Sequence, residues 1–116
     1  MHDLNEIKSS CLIDRDFLDG LRDEAIESSR LRMNRDMRDT PEDTSQRMLN
    51  SVEPGTVIPI HRHLTTSEVL CLLRGKIDLI FYNDDGSEQS RTRLDLSIGY
   101  YAFRIPLGAW HSVQFL

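Results

Sequence analysis

The feature of this sequence that most constrains its fold is a series of short alternating segments from residue 46 onward, each bounded by turn residues. Asp85–Gly86, which is a strong hairpin signal, lies between two of these segments. Many short strands at near-regular spacing indicate an antiparallel β-sandwich or barrel. The predicted strands are Gln46–Val52, Thr56–Ile60, Ser67–Arg74, Lys76–Tyr82, Glu88–Leu96, Tyr101–Ile105 and Ser112–Leu116.

One amphipathic helix is predicted ahead of these strands, at Arg15–Ser29. Asp14 is its expected N-cap, and Phe17 and Leu21 fall on one apolar face. We expect the helix to cover an open end of the strand-rich part. The polar stretch Met33–Ser45 contains a Thr-Pro pair, which predicts an irregular connection.

Composition and charge narrow the possible partners. A length of 116 residues indicates one domain, and a net charge of -5 argues against nucleic acid because phosphate binding needs a basic face. No apolar run approaches the roughly 20 residues that span a bilayer, and the N-terminus lacks a signal-peptide pattern. Cys11 and Cys71 are far apart and form no CxxC pattern, so we expect reduced thiols and a cytoplasmic protein.

Three histidines and one glutamate are the clearest functional signal. His61 and His63 are two residues apart, so on a strand both imidazoles would leave the same face, with Cα atoms roughly 6.5 Å apart. Glu68 begins an otherwise apolar strand, where a carboxylate is costly unless it is paired or binds a metal. A turn at Leu64–Ser67 would bring Glu68 near the two histidines. His111 follows a Pro-x-Gly turn and would come from another hairpin.

The spacing of these residues resembles that of the cupins. Gly-x5-His-x-His-x4-Glu-x6-Gly, from Gly55 to Gly75, matches their first motif, and Gly-x6-Pro-x-Gly-x2-His, from Gly99 to His111, resembles their second with one extra residue. Many cupins have Asn where Phe115 stands. The resemblance implies an all-β jelly-roll barrel, the cupin double-stranded β-helix, with an N-terminal helical extension. It also implies one divalent ion (Zn, Mn, Fe, Co or Ni) held by His61, His63, Glu68 and His111.

A closer resemblance, to the WbuC family of cupin-fold metalloproteins, covers most of the chain. The matching segments are Arg32–Asn34, Ser45–Asn50, Glu53–Thr56, His61–His63 and Gly108–Ser112. WbuC members occur among bacterial polysaccharide gene sets, notably those for O-antigen, and have no established activity. Two departures are Ile60, where members tend to have Pro, and Asp36–Met37–Arg38, where they tend to have Asn-x-His.

The resemblance also implies a domain organisation. We expect a single cupin domain over 1–116, with the helix and its connection in 1–44 and the barrel in 45–116. A cupin barrel usually has at least one strand more than this sequence provides after His111. A neighbouring subunit or the N-terminal segment would then cover the open edge, unless the chain is a truncated variant. A homodimer is the expected oligomeric state.

Three functions remain open at this point. The first is a metal-dependent cupin that binds a small sugar- or carboxylate-like molecule, which the WbuC resemblance links to surface polysaccharide (O-antigen) biosynthesis. The others are a metal-dependent oxygenase or isomerase/epimerase, and a barrel with a structural metal. The candidate substrate-binding residues are Trp110, Arg32, Asn34 and Gln46. Trp110 is equally suited to a pocket wall or to a plug in the barrel mouth.

The remaining basic residues have simpler interpretations. Arg30, Arg32, Arg35 and Arg38 are able to clamp a phosphate or carboxylate, but the interleaved Asp36 and Asp39 favour a solvated or salt-bridged loop. Arg62 alternates away from its histidine neighbours, which favours a solvent-facing role.

Overall fold

The fold is rich in β-strands, with one short helix, in a computed structural model that describes residues 11–116. The chain divides into two compact units, residues 1–53 and 54–116, called here the first and second units. In chain order the elements are α1 (Arg15–Glu27), β1 (Arg32–Asp36), β2 (Met48–Val52), β3 (Glu68–Cys71), β4 (Lys76–Tyr82), β5 (Glu88–Asp95), β6 (Ala102–Ile105) and β7 (His111–Phe115). Within residues 11–116, no helix has both the length and the apolar character needed to cross a membrane.

The first unit contains α1 and the antiparallel pair β1–β2. The side chain of Asp14 accepts a hydrogen bond from the Phe17 N–H at 2.9 Å, which confirms the predicted N-cap. Leu21 and Ala25 are buried, as the apolar face predicts. Helix α1 ends at Glu27, two residues before the predicted end.

The prediction of an irregular connection from Met33 was wrong for its first four residues. They belong to β1, which pairs with β2 from Arg32 opposite Val52 to Asp36 opposite Met48. The backbone hydrogen bonds of this pair do not need apolar alternation, and the charged side chains stay largely exposed. Two of the four arginines form salt bridges, Arg35 with Glu24 of α1 and Arg38 with Asp36.

The second unit contains two small sheets, β3–β6 and β5–β4–β7, all of whose pairs are antiparallel. Strand β4 lies at the centre of the larger sheet and spans the predicted bounds. Leu79 in β4 and Leu94 in β5 are among the most deeply buried side chains. The rings of Phe81 in β4 and Phe103 in β6 lie 5.5 Å apart and connect the two sheets. These strands confirm the expected β-rich class.

The predicted strand Thr56–Ile60 does not form, and the predicted hairpin from His61 to Glu68 was also wrong. Only His61 makes a β-bridge in this region, and it pairs with His111. Pro59 has no N–H to give to a ladder, and Val57 is 84% exposed, so the segment has little to gain from pairing. Strand β3 pairs with β6 instead.

An ionic network around the buried Asp78 joins the three strands of the larger sheet. Asp78 in β4 is 4% exposed and lies opposite Arg93 of β5 and Gln114 of β7. Its carboxylate accepts hydrogen bonds from both Arg93 and Arg91, and Arg91 also donates to Gln114 Oε1 at 2.8 Å. The hydrogen bond from the Arg93 guanidinium is the main cause that lowers the pKa of Asp78, against the opposing effect of burial.

Candidate metal centre

The four predicted ligands come together in the second unit. Each of His61, His63, Glu68 and His111 offers one ligand atom, and these atoms all lie within 4.8 Å of one another. The ring centroids of His61 and His111 are 4.3 Å apart, and those of His61 and His63 are 5.3 Å apart. These four residues are called the metal cluster below.

Backbone pairing places the three histidines. The His61 N–H donates to the His111 carbonyl at 3.0 Å, and the His111 N–H donates back to the His61 carbonyl at 2.9 Å. Residues that exchange both bonds lie directly opposite each other, so their side chains leave the same face. The Gly108 N–H donates to the His63 carbonyl at 2.8 Å. Gly108 lies in a turn that is closed by a hydrogen bond of 3.3 Å from the Ala109 N–H to the Pro106 carbonyl. Gly108 suits this turn because its φ of +78° is accessible to glycine at low cost.

Glu68 reaches the cluster from a different sheet. It begins β3 opposite Ile105 of β6, whose side chain is buried. The Glu68 Oε1 atom is 2.9 Å from His111 Nε2 and 3.6 Å from His63 Nε2. The pairing of β3 with β6, rather than a local hairpin, therefore brings the carboxylate to the imidazoles.

The hydrogen-bond partners of two of the rings assign their tautomer. His61 Nδ1 lies 3.0 Å from the Pro59 carbonyl oxygen, and His111 Nδ1 lies 2.9 Å from the Ala109 carbonyl oxygen. Because a carbonyl oxygen only accepts, each Nδ1 donates a proton. In the neutral ring Nε2 then keeps its lone pair, and this pattern of backbone support is typical of metal-binding histidines.

The donor set fits a divalent cation. At 2.9 Å, the His111 Nε2 lone pair and the Glu68 carboxylate repel each other unless a proton or a cation lies between them. Two ligands that each lie about 2.1 Å from an ion are at most about 4.2 Å apart, so a pair 4.8 Å apart would have to close by at least about 0.6 Å on binding. Imidazole and carboxylate are ligands that Zn, Mn, Fe, Co and Ni accept.

The cluster is buried on the side of His111 and exposed to solvent on the side of His63 and Glu68. His111 is 2% exposed and lies 6.4 Å, ring centroid to ring centroid, from Phe81. The side chains of His63 and Glu68 are 45% and 38% exposed. A bound ion would thus lie beside the buried His111 ring and face solvent on the side of His63 and Glu68.

The predicted substrate-binding residues lie in two places. Trp110 precedes His111, and the guanidinium carbon of Arg62 lies 4.3 Å from the centroid of its ring. Arg32 and Asn34 lie in β1 and Gln46 precedes β2, all in the first unit. A substrate-binding role for the four residues stays a prediction.

Sequence reasoning missed the backbone carbonyls that orient the rings. In both cases the carbonyl belongs to the residue two positions before the histidine, Pro59 for His61 and Ala109 for His111. Ala109 follows the turn at residues 107–108, whereas Pro59 lies in an irregular segment, and the sequence does not show the rotamer that brings Nδ1 to either carbonyl.

A family model described as "Domain of unknown function (DUF6016)" matches residues 13–94, and the chain belongs to this family. The match contains His61, His63 and Glu68 and ends before His111. No curated protein and no solved structure matches the chain.

Proposed function

We propose that this DUF6016 protein binds one divalent metal ion through His61, His63, Glu68 and His111, and binds a small oxygen-rich molecule at a free coordination position. The observation that carries the proposal is the convergence of four donor atoms within 4.8 Å from segments as far apart in sequence as residues 61 and 111. Donation from His61 Nδ1 and His111 Nδ1 to backbone carbonyls adds support, because it leaves Nε2 of both rings as ligand atoms.

The exposure of the cluster favours an open site over a closed structural one. Structural sites fill the coordination sphere with protein ligands, whereas three imidazoles and one carboxylate leave one or two positions on a five- or six-coordinate ion. The exposed side chains of His63 and Glu68 indicate where a ligand would enter. When bound, the ion would supply Lewis acidity to a carboxylate, hydroxyl or carbonyl oxygen.

We further propose that the second unit is a cupin-type barrel and that the protein resembles the WbuC metalloproteins. The antiparallel strands and the apolar contact between Phe81 and Phe103 support this proposal. The glycines of the two motif-like segments all have left-handed φ values between 78° and 88°, at Gly55, Gly75, Gly99 and Gly108. On this basis the oxygen-rich molecule would be sugar- or carboxylate-like, as in surface polysaccharide chemistry.

The first test is metal binding. The protein is purified without added metal, and its metal content and its affinity for Mn²⁺ are measured. We expect one ion per chain, and loss of roughly 100-fold or more in affinity for Glu68→Ala, because each of four ligands supplies a share of a large binding free energy. Glu88→Ala is the matched control, since Glu88 is similarly exposed but lies in β5 and pairs with Arg91. Equal Mn²⁺ affinity in the two variants would contradict the proposal.

The second test separates binding from catalysis. Calorimetry of the Mn²⁺-loaded protein with a panel of sugars and carboxylates should detect a ligand whose affinity disappears in His61→Ala. Oxygen uptake with Fe(II), and product analysis of the same panel, would reveal an oxygenase or an isomerase. Metal binding without ligand affinity or turnover would favour a structural ion and would contradict the open-site proposal.

A further inference from the structure

Arg62 and Trp110 form a cross-strand contact directly behind the metal cluster. Since His61 lies opposite His111 in an antiparallel bridge, residue 62 lies opposite residue 110. Side chains alternate along an extended chain, so Arg62 and Trp110 project from the face opposite to the His61 and His111 rings. There the guanidinium carbon of Arg62 lies 4.3 Å from the centroid of the Trp110 ring, which is a cation–π contact. This contact is called the Arg62–Trp110 stack below.

The stack joins a segment with few backbone bonds, which carries Arg62, to a better supported one, in which the Trp110 carbonyl accepts a hydrogen bond from the Tyr82 N–H at 3.0 Å. Residues 56–60 form no strand. His61 pairs with His111 through a single isolated β-bridge, whereas His111 also belongs to β7. The cross-chain backbone bonds described for this segment are the reciprocal pair of His61 with His111 and the bond from Gly108 to His63. These cross-chain bonds are fewer than a full β-ladder would provide, and a one-residue slip would turn His61 to the other face.

We propose that Arg62 and Trp110 are positioning residues for the metal centre, because their stack fixes the register of the segment that carries His61 and His63 against the one that carries His111. This inference rests on the proposed metal binding. Arg62 and Trp110 touch no metal. They act by raising the fraction of protein in which the three imidazoles already converge, and the apparent dissociation constant is the intrinsic one divided by that fraction.

The expected effect follows from the strength of an exposed cation–π contact and from the usual cost of losing a group that orients metal ligands. Arg62→Ala should weaken Mn²⁺ binding by about 3- to 10-fold. Trp110→Leu should have a similar effect. Because both variants remove the same contact, the double variant should lose no more than either single variant. Arg62→Lys keeps the cation without the planar guanidinium and should fall between Arg62→Ala and the wild type.

The experiment combines metal affinity with amide hydrogen exchange. Mn²⁺ is suitable because it is low in the affinity order of divalent metals and avoids the exposed thiols of Cys11 and Cys71. Free Mn²⁺ is counted by electron paramagnetic resonance for the wild type and each variant. Exchange of the His61 and His111 amides is measured in the metal-free proteins. Arg104→Ala, which removes an exposed arginine from β6, is the matched control.

The outcomes are distinct. The inference predicts weaker Mn²⁺ binding and faster exchange at His61 and His111 in Arg62→Ala and Trp110→Leu, with Arg104→Ala unchanged. If the wild type binds Mn²⁺ and the stack variants change its dissociation constant by less than twofold, the inference is overturned and the proposed function stands. The same holds if the losses of the two single variants add in the double variant. A wild-type protein without affinity for Mn²⁺ would overturn the proposed function and this inference with it. Loss of thermal stability without a change in affinity or exchange would also overturn it, since a purely structural contact gives that pattern.

Discussion

Replacing Asp78 with asparagine is expected to lower the free energy of unfolding by about 1–2 kcal/mol at pH 7. Asparagine keeps the size of the side chain but removes the charge that accepts hydrogen bonds from Arg91 and Arg93. Hydrogen bonds to charged groups contribute about 1.5–3 kcal/mol when they are well buried. The side chains of Arg91 and Arg93 are 41% and 50% exposed, so water compensates for part of that loss.

The effect has a defined pH dependence. The pKa of Asp78 is lowered in the folded protein, mainly by the hydrogen bond from Arg93. A carboxyl group of this kind stabilises the fold fully above its unfolded pKa, which is about 3.9, and loses that contribution as the pH falls through the lower folded value. The difference between wild type and Asp78→Asn should thus be constant from pH 7 to about pH 5 and should narrow below about pH 4.

Urea unfolding at pH 7 and at pH 3 measures both effects, with far-ultraviolet circular dichroism as the signal. The control is Asp84→Asn, an exposed aspartate in the β4–β5 turn, which should change stability by no more than about 0.5 kcal/mol. Equal stability of the two variants at pH 7 would refute the role assigned to the network. A stability difference from wild type that is as large at pH 3 as at pH 7 would refute its electrostatic origin.

Three further predictions concern other parts of the molecule. A divalent ion at a free concentration 100 times its Kd should raise the free energy of unfolding by about 2.7 kcal/mol in a urea titration, and His61→Ala should abolish the increase. Gly108→Ala should cost about 1–2 kcal/mol in the same assay, because its φ is +78° although a Cβ atom there would meet nothing within 4 Å. Asp36 should titrate with a pKa of about 2 in a carbon-13 NMR experiment. The Arg38 side chain is the main donor to its carboxylate, so Arg38→Gln should raise that pKa toward 3.8.

Elements with strong local signals were predicted well from the sequence. Asp14 caps α1 because its side chain competes for a free N–H regardless of the rest of the fold. Strand β4 spans the predicted residues Lys76–Tyr82 because a glycine and a tight Asp-Gly turn bound it. The His-x-His spacing identified two of the four side chains that converge, because both histidines lie on one segment and the spacing needs no knowledge of distant residues.

Features that depend on residues distant in sequence could not be predicted from local sequence signals. Strand β1 is polar, and only its pairing with β2 makes it a strand. Glu68 reaches the histidines because β3 pairs with β6, whereas the sequence suggested a local hairpin. The burial of Asp78 depends on two arginines of the neighbouring strand β5, and alternation alone would place an aspartate at that position in water.

The pairing of His61 with His111 has a consequence for how the chain folds. An ion held by both residues would act as a reversible cross-link that closes a loop of about 50 residues. In the entropy model used for disulfides, closing such a loop raises the free energy of the unfolded chain by about 4 kcal/mol. A chain elongated only as far as β6 would contain His61, His63 and Glu68 but would lack the fourth ligand. Tight metal binding would therefore report that β7 has docked, and removal of the ion with a chelator should accelerate unfolding of the second unit from that end.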